Sequence, residues 1–264
     1  MIRLAANISF LFTELPFLER FAAAADAGFR AVEFGFAYDV PTAEIGMRLR
    51  DNDLVLALIN TPAGDPAAGE MGLAALPGRV RDTAIAFGQA LDYAVALDAK
   101  LIHFLAGKPP KDCDEGAVDE LFLKNICSAA DLAAEAGRVI TLEPLNLRDR
   151  PGYHLNSNLH ARALIAASGR ENVKLQFDLY HCQISEGDLM RSVERNIDVI
   201  AHVQIAGVPQ RAEPNLGEMA YASVLNRLDS LGYTGYVGCE YFPAADTRSG
   251  LAWAAPYLEI EAAS

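Results

Sequence analysis

The sequence predicts a single (β/α)₈ barrel, and two observations support this fold class. Eight short apolar segments alternate with amphipathic helical segments along the 264 residues, without a linker, a repeat or a low-complexity stretch. This alternation is typical of a parallel sheet covered by helices, and such barrels commonly contain about 250 residues. The second observation is that four of the apolar segments end in an oxygen ligand: Glu143, Asp178, Gln204 and Glu240. We therefore expect one domain over residues 1–264.

The predicted strands are short β-rich or apolar runs bounded by turn-forming and charged residues. They cover residues 3–8, 30–35, 55–60, 100–105, 138–143, 172–178, 199–205 and 236–240. The predicted helices have apolar residues at helical spacing. They cover residues 14–27, a segment around 47–49, 79–97, 118–134, 160–168, 186–197, 221–231 and a last segment that includes Trp253. Pro16 in the first turn of the first helix and Gly28 after its end mark the limits of that helix.

Composition and charge exclude several classes of function. No apolar run approaches the roughly 18 residues that a membrane-spanning helix needs. The apolar start is predicted to be the first strand rather than a signal peptide, because Asn7 and Ser9 interrupt it and no small-x-small cleavage site follows. A net charge of −13 disfavours nucleic-acid binding. The four cysteines form no CxxC pair, which indicates reduced thiols and a cytoplasmic protein. A homo-oligomer is compatible with the sequence, which does not fix the oligomeric state.

The four oxygen-bearing side chains predict a metal site. Parallel strands bring their carboxyl ends to the same end of a barrel, where barrel enzymes have their active sites. The longest predicted connections follow the third, fifth and seventh strands at this end. Three carboxylates and one amide are hard ligands that suit Mg²⁺ or Mn²⁺. One strand-end acid alone often caps the next helix, but four in register favour the metal hypothesis.

A second polar layer is predicted inside the barrel, formed by the residues two positions before the ligands on the same strands. Residues two apart on a strand face the same side, so Thr141, Gln176 and His202 lie beneath Glu143, Asp178 and Gln204. Barrel interiors are usually filled by branched apolar side chains. The polar side chains therefore suggest hydrogen-bonding support for the ligands, and the alternative is that they are satisfied locally in the core.

Three cationic or titratable side chains are candidates for substrate binding. His181 follows Asp178 by three residues, and Arg211 lies in the loop after the seventh strand, where its guanidinium can bind a carboxylate through two hydrogen bonds. Lys108 follows the fourth strand and is either an anion contact or a solvated lysine. Two further histidines are expected to be structural. His103 is expected to pack in the barrel wall, and His160 is expected to be an ordinary helix residue.

Long segments of the chain resemble the hydroxypyruvate isomerase family, which includes the 2-oxo-tetronate isomerases, within the xylose isomerase-like barrels. These segments are AANISFLF, FRAVEFGFAYD, NTPAGDPAAGEMGLAALPGR, LEPLN, PGYHL, QFDLYHCQ, HVQIAGVPQRAEPNLGE and VGCEYFP. The resemblance implies that the four predicted ligands coordinate metal and that Glu143 and Glu240 are the acid/base pair. It also implies substrate contacts for His181 and Arg211. The chain departs from the family at Phe242, where relatives often have Lys, and at Ala37, where they often have Pro.

The resemblance implies metal-dependent isomerisation of hydroxypyruvate, a small anionic 2-oxo acid, to 2-hydroxy-3-oxopropanoate through an enediolate. LEPLN and PGYHL favour this substrate, whereas HVQIAGVPQRAEP favours 2-oxo-tetronate. Ketose 3-epimerisation is a second alternative, although related epimerases tend to have His at the position of Gln204. Abasic-site endonuclease activity is disfavoured by the acidic charge and the few histidines. A non-catalytic binding module is disfavoured by the complete set of ligands and acids.

Overall fold

Eight parallel strands close into a barrel in chain order, and β8 pairs with β1. The computed structural model describes residues 1–258, without the side chain of residue 66. The strands are β1 (Arg3–Asn7), β2 (Ala31–Phe34), β3 (Val55–Asn60), β4 (Leu101–His103), β5 (Val139–Leu142), β6 (Val173–Asp178), β7 (Ile200–Ile205) and β8 (Tyr236–Cys239). The (β/α)₈ fold class and all eight predicted strands are confirmed.

Within residues 1–258, the helices lie in the connections between the strands and after β8. They are α1 (Arg20–Asp26), α2 (Thr42–Asp51), α3 (Val80–Ala96), α4 (Glu115–Glu135), α5 (Asn158–Ser168), α6 (Leu179–Ser185), α7 (Leu189–Asn196), α8 (Tyr221–Ser230) and α9 (Thr247–Gly250). In the described part of the chain, three 3₁₀ helices cover Phe17–Glu19, Pro66–Ala68 and Leu251–Tyr257. Among residues 1–258, no helix combines the length and apolar character needed to cross a bilayer.

Two helix predictions need correction. The first helix begins later than Glu14, because Pro16 precedes a 3₁₀ turn and the α-helical geometry starts only at Arg20. The region after β6 contains two helices, and only the second of them was predicted. The first, α6, starts directly after Asp178, whose carboxylate accepts a hydrogen bond from the backbone N–H of Tyr180 at 2.7 Å. Asp178 is therefore both the last residue of β6 and the N-cap of α6, and no turn-forming residue separates the two elements.

Aromatic packing joins the outer helices to the barrel. The Phe104 ring lies 5.7 Å from that of Phe87 on α3 and 6.3 Å from that of Phe122 on α4, and all three side chains are buried. Burial of one such side chain contributes about 1.5–3 kcal/mol. These contacts fix β4 against α3 and α4. The loop that follows β4 at the carboxyl end of the barrel therefore begins at a fixed position.

Candidate active site

A pocket of about 200 Å³ opens at the carboxyl end of the barrel, between the loops that follow the strands. Glu143 directly follows β5 and Glu240 directly follows β8, and both line this pocket together with His181 and Arg211. The structure therefore brings both predicted acids and two of the three predicted substrate contacts to one place. This is the end of the barrel that the strand register predicted.

Two of the predicted ligands carry buried oxygens that lack a hydrogen-bond donor. They are Oε1 of Glu143 and Oδ2 of Asp178. A ligand atom from each of these residues and one from His181 all lie within 4.8 Å of one another. An unpaired carboxylate oxygen is costly to bury, and a cation between the two would remove that cost. These residues therefore fit a divalent cation bound through carboxylate oxygens.

His181 is oriented by a backbone donor. Its Nδ1 accepts a hydrogen bond from the Asn146 backbone N–H at 3.1 Å, so the proton of the neutral ring is on Nε2. Burial lowers the pKa of His181 well below its usual value, which keeps the ring neutral. A histidine that binds metal normally donates from its second nitrogen, and here that nitrogen accepts. His181 is therefore better suited to donate a hydrogen bond from Nε2 than to coordinate an ion.

The amide of Gln204 is fixed by the predicted second polar layer. The Thr141 hydroxyl donates to Gln176 Oε1 at 2.9 Å, and Gln176 Nε2 donates to Gln204 Oε1 at 2.7 Å. Gln204 Nε2 in turn donates to Glu240. The prediction of a hydrogen-bonded layer is confirmed. A carbonyl oxygen has two lone pairs, so Gln204 Oε1 keeps one of them for a cation.

Glu33 on β2 completes this layer, although it was not predicted to belong to the site. It is fully buried and accepts hydrogen bonds from Asn7 Nδ2 at 3.0 Å, Gln204 Nε2 at 2.8 Å and the His202 ring at 2.6 Å. A Cβ at Gly238 would lie 2.4 Å from Glu33 Oε1, so the glycine leaves the space that this carboxylate occupies. A charged residue inside an otherwise apolar strand was the available signal for this position.

Arg211 connects the loop after β7 to the acid on β8. Its Nη2 donates to Glu240 Oε1 at 2.6 Å, and the guanidinium lies between the rings of Phe10 and Tyr180, at 5.2 and 5.0 Å from their centroids. The Nε–H of Arg211 is buried and has no partner. Because buried donors are nearly always paired, this unpaired donor makes Arg211 a candidate for ligand binding.

The two acids have raised pKa values. Burial raises the pKa of Glu143 well above its usual value, and the nearby charge of Glu240 raises it further. Burial also raises the pKa of Glu240, to about 8, although Arg211 opposes the shift. Two carboxyl groups with pKa values raised by different surroundings can divide the roles of proton acceptor and proton donor.

Sequence comparisons place these residues in a family. A model of the xylose isomerase-like TIM barrel matches residues 21–257. A protein from Cupriavidus necator named 2-oxo-tetronate isomerase is 49% identical, over 98% of this chain and 99% of the relative. The Escherichia coli protein named hydroxypyruvate isomerase is 41% identical, over 97% of this chain and all of the relative. The chain belongs to the hydroxypyruvate isomerase family of xylose isomerase-like barrels. It is therefore an isomerase.

Solved structures give the same fold. A Brucella melitensis protein described as an AP endonuclease, family 2, superposes with a TM-score of 0.96 at 46% identity, over 98% of this chain and 100% of that one. A D-psicose 3-epimerase from Clostridium cellulolyticum superposes with a TM-score of 0.76 over 99% of this chain and 100% of that one, and its 17% identity supports the fold alone. The resemblance to this family that the sequence motifs suggested is confirmed.

Two further residues of this isomerase differ from their predicted settings, and one residue of the pocket was not predicted. Lys108 is exposed and lines a neighbouring cleft with Tyr153, so the structure does not bring it to the pocket with the other candidates. Arg150, which was not predicted to belong to the site, lines the pocket instead. His103 was expected to pack in the barrel wall, but it lines the pocket with its Nδ1 3.3 Å from Glu143. Burial lowers the pKa of His103 to about 3, so the ring is neutral.

Proposed function

We propose that this protein is a cytoplasmic, metal-dependent isomerase that moves the carbonyl group of a short 2-oxo acid between C2 and C3. The observation that carries the proposal is the pair of mostly buried acids, Glu143 and Glu240, on the wall of one small pocket. A carbonyl shift needs one group that removes a proton beside the carbonyl and one that returns a proton to the neighbouring carbon. Two carboxyl groups on separate strands supply both.

The proposed metal site consists of Glu143, Asp178, Gln204 and Glu240. A bound Mg²⁺ or Mn²⁺ would supply Lewis-acid polarisation of the substrate oxygens. The unpaired oxygens of Glu143 and Asp178 support such a site. Gln176 Nε2 donates to Gln204 Oε1, and Gln204 Nε2 donates to Glu33 Oε1, so the Gln204 amide is held in one orientation.

The proton transfers follow from the positions of the two acids. One carboxylate takes the proton from C3, the electron pair of that C–H bond forms the C2–C3 double bond, and the π pair of the C2 carbonyl moves onto O2 to give the enediolate. The other carboxyl group then delivers a proton to C2 as the C2–C3 double bond opens. The electron pair of the O3–H bond forms the new C3 carbonyl, and the proton lost by O3 passes to O2, which becomes the C2 hydroxyl. We expect His181 Nε2–H and the unpaired Nε–H of Arg211 to bind substrate oxygens during these steps.

Two short 2-oxo acids are candidate substrates, and both undergo the same carbonyl shift. We favour 2-oxo-tetronate over hydroxypyruvate, because the C. necator relative of that name is 49% identical, against 41% for the E. coli hydroxypyruvate isomerase. Hydroxypyruvate is retained as the second candidate, supported by that E. coli relative and by LEPLN and PGYHL. An endonuclease activity like that named for the B. melitensis protein is disfavoured, because a net charge of −13 repels a phosphate backbone.

A substrate panel tests the proposal. Metal-free protein is assayed with 2-oxo-tetronate, hydroxypyruvate and a neutral ketohexose, with and without added Mg²⁺ or Mn²⁺. We expect turnover of at least one 2-oxo acid that disappears without metal and returns when metal is added, with the higher kcat/KM for 2-oxo-tetronate. Turnover of the ketohexose alone would replace this assignment with ketose 3-epimerisation. Metal-independent turnover of the oxo acids would remove the ion from the mechanism.

Two exposed basic residues near the pocket give a matched pair of variants. Arg150 lines the pocket and Lys108 lines the neighbouring cleft. Because both side chains are exposed and cationic, Arg150→Ala and Lys108→Ala remove the same charge from the same end of the barrel. We expect Arg150→Ala to raise the KM for a 2-oxo acid about tenfold, the effect of losing one charge-assisted hydrogen bond of roughly 1.5 kcal/mol. Lys108→Ala should leave KM within about twofold, and an equal effect of both variants would show that the charge acts only at long range.

A further inference from the structure

A second cluster of ligand-type side chains lies outside the pocket. Asp119 is on α4, His154 is in the loop after β5, and His160 is in the first turn of α5. The Nε2 atoms of His154 and His160 lie 2.8 and 2.9 Å from the same oxygen, Oδ1 of Asp119. The two imidazole rings meet edge to face, with their centroids 5.3 Å apart. Two segments that are distant in sequence, α4 and the stretch from the loop after β5 into α5, thus direct three ligand atoms at one point.

This cluster is accessible to a ligand from solution. The three side chains are partly buried and line a cleft of about 500 Å³, whose wall shares no residue with that of the candidate active-site pocket. Cys113 and Glu115 line the same cleft and add a thiol and a carboxylate. An ion can therefore reach the cluster without passing through the active site, and it would find further donor groups beside it.

We propose that Asp119, His154 and His160 form a second metal site, for a transition-metal ion of the Zn²⁺ class. Their ligand atoms all lie within 4.8 Å of one another. In a tetrahedral zinc site with bonds of about 2.0–2.1 Å, neighbouring ligand atoms are about 3.3 Å apart. The two present nitrogen–oxygen separations are only a few tenths of an ångström shorter, so small side-chain rotations admit the ion.

The donor set distinguishes this site from the one in the pocket. Two imidazole nitrogens and one carboxylate are typical of zinc sites, whereas ligands that are all oxygen suit Mg²⁺ or Mn²⁺. Three protein ligands leave a fourth position, which water or a donor in the cleft can fill. The two sites should therefore take different ions from a mixture.

The second site has a consequence for the loop after β5. This loop is already tied to the barrel where the His154 backbone N–H donates to the carbonyl of Gly107 at 3.0 Å, and it also carries Arg150 to the active-site pocket. A bound ion would link the loop to α4 and α5 at once. Zn²⁺ should therefore raise the midpoint of thermal unfolding, by about 2 °C or more at saturating ion.

Metal titration of the full chain tests the proposal. Metal-free wild type is titrated with Zn²⁺ in a calorimeter and with Co²⁺ as an optical probe. We expect wild type to bind Zn²⁺ with micromolar or tighter affinity and to show the visible absorption of tetrahedral Co²⁺. His160→Gln and Asp119→Asn should each weaken this binding at least tenfold and remove the thermal shift, with unchanged circular dichroism.

An active-site variant provides the control, because it tests which site holds the ion. Asp178→Asn alters the predicted ligand set of the pocket and should leave the Zn²⁺ affinity and the Co²⁺ spectrum of the second site unchanged. The proposal is overturned if wild type binds no Zn²⁺ at micromolar concentration. It is equally overturned if both cluster variants bind like wild type, or if Asp178→Asn abolishes the signal.

Discussion

Replacing Glu240 by glutamine should lower kcat by at least about a hundredfold while the protein still binds its divalent ion. An amide oxygen can coordinate metal, as proposed for Gln204, but it cannot take up a proton, and proton transfer alone accounts for about 10²–10⁴ in rate. Glutamine also has nearly the same shape, so it can still accept the hydrogen bond from Arg211. The measurements are kcat on the better 2-oxo acid and bound metal per chain by elemental analysis.

The corresponding change at Glu143 should have an effect of the same size, because each acid handles a different proton. Glu186 offers a matched control. Its Oε1 accepts hydrogen bonds from the backbone N–H and the side-chain amide of Asn158, at 2.7 and 3.0 Å, and it does not line the pocket. Glu186→Gln keeps that oxygen and should leave kcat within about threefold. Near-normal turnover of metal-loaded Glu240→Gln would exclude this residue as an acid or base.

The convergence of the acids could be predicted from sequence because it depends on local rules. Each strand is a short apolar run, parallel neighbours in a barrel share a direction, and a residue at the end of each run must therefore lie at the same rim. Glu143 and Glu240 follow their strands by one residue, and Asp178 is the last residue of β6. The prediction needed no knowledge of side-chain contacts, only strand register.

The surroundings of the acids depend on contacts that no local pattern encodes. Glu33 meets His202 across 169 residues of sequence, and that contact exists only once β2 and β7 are placed in a closed barrel. The position of His103 beside Glu143 depends on the register in which β4 pairs with β5. The helix α6 was missed for a different reason, since Asp178 serves as strand end and helix cap together and leaves no loop to signal a boundary.

Arg211→Ala should reduce kcat/KM for a 2-oxo acid by about a hundredfold, or about 2.7 kcal/mol. The guanidinium is held on two sides by aromatic rings and on a third by Glu240, while its Nε–H has no protein partner. Because this arginine is already fixed, it loses little conformational entropy when it binds a substrate oxygen. Its removal should therefore raise KM, and it should also lower kcat because Glu240 loses the donor that orients it.

Arg211→Lys separates charge from geometry in this prediction. Lysine keeps the positive charge beside Glu240, but it lacks the planar group that lies between Phe10 and Tyr180 and the second donor for the substrate. We expect it to recover less than about tenfold of the loss in kcat/KM. A neutral ketose has no carboxylate to bind, so any turnover of it should fall much less in Arg211→Ala than that of a 2-oxo acid. If Arg211→Ala leaves the kinetics of both 2-oxo acids unchanged, Arg211 is a structural partner of Glu240 and the substrate carboxylate is bound elsewhere in the pocket.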